Sequence, residues 1–272
     1  MNRSVPVRAT KHHGLGNDFL VVLDPANDIN PTQVIAWCHR RTGIGADGLI
    51  AAQRVDGSDD HWSMVLWNAD GSQAEISGNG VRCLAQAIGL QLELDVTSEL
   101  LVDTDAGPRR LTVYPEPGAT WSVRAGMGAA TVGPDPSAAW IDADVTIVGQ
   151  LGVDVGNPHV VGLVDAAAEL ERIDMADVGP VIAAGYPGGI NVHVGYVAGP
   201  DDLHLKVWER GVGVTQACGT GACAAAWATH RMGLTGPIIA VTMPGGSATV
   251  ELNGSEVCLV GPATYVGSVV LG

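Results

Sequence analysis

A chain that carries the same short motifs twice at one spacing is built from two copies of a unit, and this constrains its fold more than any local propensity does. SGNGVRC, beginning at Ser77, and CGTGAC, beginning at Cys218, start 141 positions apart. Asn68, in NADG, and Glu209, in ERGVG, keep that offset, and Gly16-Asn17 and Gly156-Asn157 lie 140 apart. Each of the last two pairs leads into an apolar, β-prone run, FLVVLD or PHVVGLV. Glycine motifs recur by accident in a chain with 37 glycines, but three pairs in step point to two related halves.

Each half reads as several short strands and one helix that starts at the glycine motif. The first helix is expected over 78–88 with Gly89 as its stop, the second over 219–232 with Gly233 as its stop. A further helix is expected over 31–42, opened by Pro31. WSMVLW, LTVY, WSVRA, INVHVGYV, LHLKVWER, IIAVTM and ATVEL read as strands. The fold class is therefore α+β in two lobes. The boundary is expected near residue 125, with the Gly/Pro/Ala-rich stretch 127–139 as a connecting segment.

A net charge of −15 repels phosphate backbones and anionic lipid, so neither nucleic acid nor a membrane is an expected partner. No signal peptide or long apolar run is apparent, and a cytoplasmic location is expected. Five cysteines imply no disulfide scaffold, and Cys38, Cys83 and Cys258 read as buried thiols. GIGADG at 43–48 satisfies G-x-G-x-x-G but follows a helix and precedes a strand-like run, the wrong order for dinucleotide binding. The eight histidines show no ligand spacing, so no metal is expected. The tryptophans read as core, with Trp208 a candidate for the neighbourhood of Glu209.

Ser77 and Cys218 each precede a Gly-x-Gly turn that opens a helix. The first turn of a helix has N–H groups with no intrahelical acceptor and the positive end of the dipole, which suits a carboxylate. A helix N-terminus also lowers a thiol pKa, so Cys218 is expected to ionise readily. If the halves face each other, Ser77 and Cys218 flank one substrate carbon, and a proton can leave one face and arrive at the other.

These residues carry a resemblance. HGLGNDF (13–19), RRTGIGADG (40–48), NADGSQAE (68–75), SGNGVRC (77–83), GNPHVV (156–161), NVHV (191–194), WERGVG (208–213) and QACGTGAC (216–223) resemble the diaminopimelate epimerase family in order and spacing. The resemblance implies two pseudo-symmetric lobes, each a mixed sheet wrapped around a central helix, with residues 262–272 returning to the first lobe. The lobes are then 1–125 with 262–272, and 126–261. It implies a cofactor-independent, PLP-independent isomerase of lysine biosynthesis that acts on a small amino acid. It also implies that Cys218 is a catalytic cysteine, with Ser77, Glu209 and His159 beside the reacting centre. Asn17, Asn68, Asn157, Asn191 and Arg210 align with substrate-binding residues, and the N–H groups of Gly78, Asn79, Gly219 and Thr220 align with the α-carboxylate site. A homodimer is compatible with the sequence, which leaves the oligomeric state open.

Two positions depart from the family pattern. Ser77 stands where the family has its first catalytic cysteine, and Val214 stands where it has the glutamate of ERGxGET. Serine is a far weaker acid than cysteine. Ser77 is then an engineered trap, a natural feature of an enzyme whose one base is Cys218, or a proton donor in one direction. The alternatives to an epimerase are a one-base lyase or dehydratase of a β-substituted amino acid, using Ser77 and Cys218, and a non-catalytic amino-acid-binding relative.

Overall fold

The computed structural model describes residues 6–136, 140 and 143–272. The chain forms two compact units, residues 1–125 with 261–272 and residues 126–260.

The first unit opens with β1 (Val7–Gly14) and β2 (Asn17–Leu23), then α1 (Pro31–Cys38), β3 (Gly48–Arg54), β4 (His61–Asn68) and the short β5 (Gln73–Ala74). Next come α2 (Gly78–Gln91), β6 (Ser98–Thr104), β7 (Gly107–Tyr114) and β8 (Thr120–Ala129), which runs on into the second unit. That unit contains β9 (Thr131–Val132), β10 (Gly149–Asp154), β11 (Pro158–Leu163), α3 (Ala167–Arg172), α4 (Met175–Ala184), β12 (Asn191–Gly199) and β13 (Asp202–Glu209). It continues with β14 (Gly213–Val214), α5 (Gly219–Arg231), β15 (Ile238–Met243) and β16 (Gly246–Asn253). The last strand, β17 (Glu256–Leu271), begins in the second unit and ends in the first.

In the first unit the strands run β17-β1-β2-β3-β4-β6-β7-β8, parallel at β2–β3 and β4–β6 and antiparallel at β1–β17, β1–β2, β3–β4, β6–β7 and β7–β8. β8 also pairs with β17, and Tyr265 donates its N–H to Ala119 O at 2.8 Å, so the ring closes without a free edge. The second unit repeats the order as β9-β10-β11-β12-β13-β15-β16-β17, again parallel at its third and fifth junctions, β11–β12 and β13–β15. Each unit is thus a mixed sheet around one helix. A helix buried on one stripe alone would sit on a surface, but α2 is buried from Gly78 to Gly89 and α5 from Gly219 to Thr229. The alanines of α5 let the surrounding strands close in on it.

Where expectation and structure differ, packing decides. Gly89 does not end α2, which continues to Gln91; a Cβ there would stand 2.6 Å from Cζ3 of Trp121, so the glycine serves close approach. Helix α1 stops at Cys38 rather than at 42, because His39 is extended and its Nδ1 accepts the N–H groups of Arg41 and Thr42. The expected connecting segment 127–139 is partly strand, in β8 and β9, and its last three residues lie outside the described ones. Cys258 is partly exposed rather than buried. Helices α3 and α4 were not expected; they cover one face of the second unit, where Val178 and Ile182 join Val192, Val194 and the half-buried Trp208. Trp208 belongs to that core, against Gly179, and not to the surroundings of Glu209, because side chains alternate along β13. Among the described residues no helix is long and apolar enough to cross a membrane.

Candidate active site

Two helix N-termini share one local geometry. Ser77 caps α2 with φ −133° and ψ 124°, and its Oγ accepts the N–H of Gly80 at 3.1 Å. Cys218 caps α5 with φ −121° and ψ 114°, and its Sγ accepts the N–H of Gly221 at 3.2 Å. In each case the cap side chain takes one orphan donor of the first turn. The N–H groups of Gly78, Asn79, Gly219 and Thr220 belong to the first turns of these two helices, where the dipole is positive.

Cys218 is buried, and burial pushes its thiol well above the usual range, with the charge of Glu209 and a hydrogen bond to that carboxylate adding to the effect. The Thr220 hydroxyl, 3.4 Å away, and the Gly221 N–H pull the other way and do not prevail. The expectation that the helix end would leave Cys218 readily ionised is therefore corrected, since desolvation of the anion outweighs the dipole. The resting side chain is a neutral thiol. Glu209 ends β13, and its Oε1 accepts the Thr215 hydroxyl at 2.5 Å.

His159 on β11 is fully buried, and burial, helped by repulsion between its protonated form and neighbouring His193 and Arg210, holds its pKa well below the usual value. Its Nε2 lies 2.8 Å from Asn157 Oδ1 and its Nδ1 2.8 Å from Nε2 of His193. His193 on β12 is also fully buried, and its ring lies against Gly221, the residue whose N–H holds Cys218. Sequence reading passed over His193. Its signal is the parallel register, which pairs His159 with Asn191 and puts His193 two residues further along the same face. Asn191 is buried, with Nδ2 donating to Pro158 O at 2.9 Å and Oδ1 accepting the N–H of Arg210 at 3.0 Å. It braces the turn that carries Arg210, whose exposed guanidinium reaches Gly188 O at 3.3 Å.

In the first unit Asn17 donates to Asp47 Oδ2 at 2.9 Å and accepts from Asn79 Nδ2 at 3.1 Å, while Asn79 Oδ1 accepts from Arg82 at 2.8 Å. Arg40 joins Asp47 at 2.6 Å and Asp18 at 2.7 Å, so the RRTGIGADG segment pins the strand that carries Asn17. Burial of Asp18 opposes its charge, yet hydrogen bonds from Arg40 and Lys11 keep the carboxyl below its usual range. Asn68 ends β4 and donates to Ser72 Oγ at 3.0 Å. Cys83 is fully buried in α2 and burial raises it to about 12, so it does not stand in for a thiol at Ser77.

Matching registers show how the halves differ. Phe19 pairs with Gly48 in the first unit as His159 pairs with Asn191 in the second, which makes Phe19 and Ile50 the counterparts of His159 and His193. With Ser77 against Cys218 and Asn68 against Glu209, the proton-carrying side chains are concentrated in the second unit.

The family model for diaminopimelate epimerase matches residues 9–132 and 152–266. The chain belongs to the diaminopimelate epimerase family. Among its relatives are the diaminopimelate epimerases of Bacteroides thetaiotaomicron, 35% identical over 266 residues and covering 96% of both chains, and of Rhodococcus jostii, 38% identical over 282 residues and covering 95% of both. Solved structures of similar fold include a predicted epimerase from Pseudomonas aeruginosa (TM-score 0.79, 16% identity, 97% of this chain and 98% of that one). Another is a hydroxyproline epimerase from Agrobacterium vitis with bound trans-4-hydroxy-L-proline (TM-score 0.74, 14% identity, 100% and 94%). At those identities the solved structures attest the fold alone. Within the chain, Ser77 has the cap geometry of Cys218 but carries a hydroxyl where Cys218 carries a thiol.

Proposed function

We propose that this protein is a cofactor-independent amino-acid epimerase of the diaminopimelate epimerase type, in which Cys218 as thiolate takes the α-proton. The observation that carries the reading is the cap of α5, where a buried thiol sits beside Glu209 at a helix end suited to a carboxylate. The substrate class is an amino acid with a second polar end, diaminopimelate first. In the second unit its α-carboxylate takes the first-turn N–H groups of Gly219 and Thr220 and its far carboxylate takes Arg210, Asn157 and Asn191, while Gly78, Asn79, Asn17 and Asn68 are the candidate substrate-binding residues of the first unit. An α-ammonium brought beside Sγ favours the thiolate that burial disfavours, and Glu209 is the group placed to accept the thiol proton. The Cα–H bond then breaks, the proton goes to Sγ, and the electron pair is left on Cα and its carboxylate, where helix-end donors stabilise it. Inversion needs a proton delivered to the opposite face, and Ser77 is the residue the repeat assigns to that position. The reaction is placed in the cytoplasm, with a small amino acid and at most a second copy of the chain as partners.

Ser77 favours a second reading, a one-base lyase. The same carbanion then expels a β-substituent and forms a Cα–Cβ double bond, so that no second proton is needed. Incubation in heavy water with diaminopimelate and β-substituted amino acids distinguishes the two. Deuterium at Cα with inverted configuration supports epimerisation, and keto-acid formation supports elimination. Saturable binding without exchange would make the chain a binding protein. Cys218→Ala is expected to abolish exchange and Cys83→Ala to leave it.

A further inference from the structure

His159 and His193 together hold four ring nitrogens and, both being neutral, two protons. Three of the nitrogens have partners: Nε2 of His159 faces Asn157 Oδ1, and Nδ1 of His159 faces Nε2 of His193. The fourth, Nδ1 of His193, is buried with no hydrogen-bond partner among the described residues. It lies against Gly221, where even a Cβ would be only 2.9 Å away.

Only one placement of the two protons fits. If His159 carried its proton on Nδ1, its Nε2 lone pair would confront the Asn157 carbonyl oxygen. His193 would then have to carry its proton on Nδ1, as a buried donor without an acceptor, which costs about 1–3 kcal/mol. With both protons on Nε2, His193 donates to His159, His159 donates to Asn157, and the orphan is a lone pair rather than an N–H. We infer that His193 is a positioning residue that fixes His159 in its Nε2–H tautomer and thereby turns the Asn157 amide so that its NH₂ group is the end left for substrate.

Asn157 then recognises an acceptor, which suits a carboxylate and not an ammonium, and His159 acts as a hydrogen-bond donor rather than as a base. The first unit has no such relay, because Phe19 and Ile50 occupy the corresponding positions. Asn17, the counterpart of Asn157, is oriented instead by Asp47 and Asn79. The tautomers stand on the geometry alone; their effect on turnover rests on the epimerase reading.

Long-range proton–nitrogen correlation spectra of the ¹⁵N-histidine-labelled full chain at pH 7, assigned with His159→Gln and His193→Gln, test the inference directly. Both rings are expected to show the Nε2–H pattern. An Nδ1–H pattern for either, or a charged ring, would overturn it. His193→Phe keeps a flat ring against Gly221 and removes the donor, so His159 should become a mixture of tautomers and kcat/KM should fall roughly ten- to hundredfold. In His193→Gln the amide can still donate, and kcat/KM should stay within about threefold of the parent. Unchanged tautomer and turnover in His193→Phe would show that His193 only packs. If the spectra hold while no variant, nor the parent, exchanges an α-proton, the epimerase reading fails and the relay stands.

Discussion

The second glycine of the CGTG turn lies face to face with an imidazole: a Cβ on Gly221 would come within 2.2 Å of Cε1 of His193. At its counterpart Gly80 the nearest atoms are farther, Ser77 Cβ at 3.1 Å and the end of Ile50 at 3.3 Å. Gly221→Ala should therefore destabilise the protein by roughly 1–3 kcal/mol through overpacking. Gly80→Ala should fall within about 1 kcal/mol of the parent, because gained helix propensity offsets the tighter fit. Denaturant melts of the two variants check this, and equal losses would count against the contact.

Burial and Glu209 both raise the Cys218 thiol well above its usual range. Alkylation of the unliganded protein by a small neutral reagent should accordingly keep accelerating as pH rises past the ordinary thiol value. Glu209→Gln removes the opposing charge, so alkylation at neutral pH should quicken, while α-proton exchange slows by roughly two orders of magnitude with the acceptor gone. Mass mapping of the modified cysteine checks both, and a plateau reached already near neutral pH would restore the helix dipole as the dominant influence.

The exposed guanidinium of Arg210, held at its backbone by Asn191, is suited to a far carboxylate. Arg210→Ala should weaken binding of a dicarboxylic amino acid by about 1.5–3 kcal/mol, the worth of a charge-assisted contact, and should barely affect a monocarboxylate. Calorimetric titration with both ligands decides, and equal losses would make Arg210 structural.

What was legible in the sequence was whatever repeats or has a local cause. The two glycine turns, the capping serine and cysteine, and the Gly233 stop follow from backbone chemistry within a few residues. The halves were visible because the motif spacing survived in Asn68 and Glu209. Long-range pairing was not visible. Gly89 looked like a helix end because its reason is Trp121, 32 positions later. His193 was passed over because its meaning depends on the register of β11 with β12, which no local pattern states. The ionisation of Cys218 was misjudged because a helix start is readable in sequence and the depth of burial is not.

Acid should loosen the fold through its neutral buried histidines. Burial holds His12 at about 4, although its hydrogen bond with Gln86 pulls upward, and burial holds His193 at about 3. In the unfolded chain both titrate near their ordinary value, so between there and the folded values the unfolded state binds more protons and stability falls as pH falls. The contribution is fully present above the ordinary histidine range. His12 alone should lose about 2 kcal/mol between pH 7 and pH 5. Urea melts across that range check it, and His12→Gln should flatten the slope; a parent whose stability is flat over the range would show that these rings are not held neutral.

Ser77→Cys is the substitution that separates the two chemistries open to this fold. The change is sterically modest, since Cys218 already shows that a sulfur can cap a helix with nearly the same φ and ψ, accepting its N–H at 3.2 Å where Ser77 accepts at 3.1 Å. Stability should shift by less than about 1 kcal/mol, because the cap bond is retained. Catalysis should change more, because a thiol can ionise and reprotonate within reach of neutral pH, whereas a serine hydroxyl stays protonated unless a base activates it. If Ser77 limits the native protein to one base, the variant should invert diaminopimelate at least about tenfold faster, with thiol acid–base chemistry acting at both faces. If the native reaction is elimination, the same carbanion should be diverted toward inversion, and keto-acid yield should drop as the inverted amino acid appears. Chiral chromatography of substrate recovered from both proteins, alongside keto-acid assay, reads the two outcomes together. Faster inversion by the parent than by the thiol variant would make Ser77 an adapted proton donor and would overturn the one-base account.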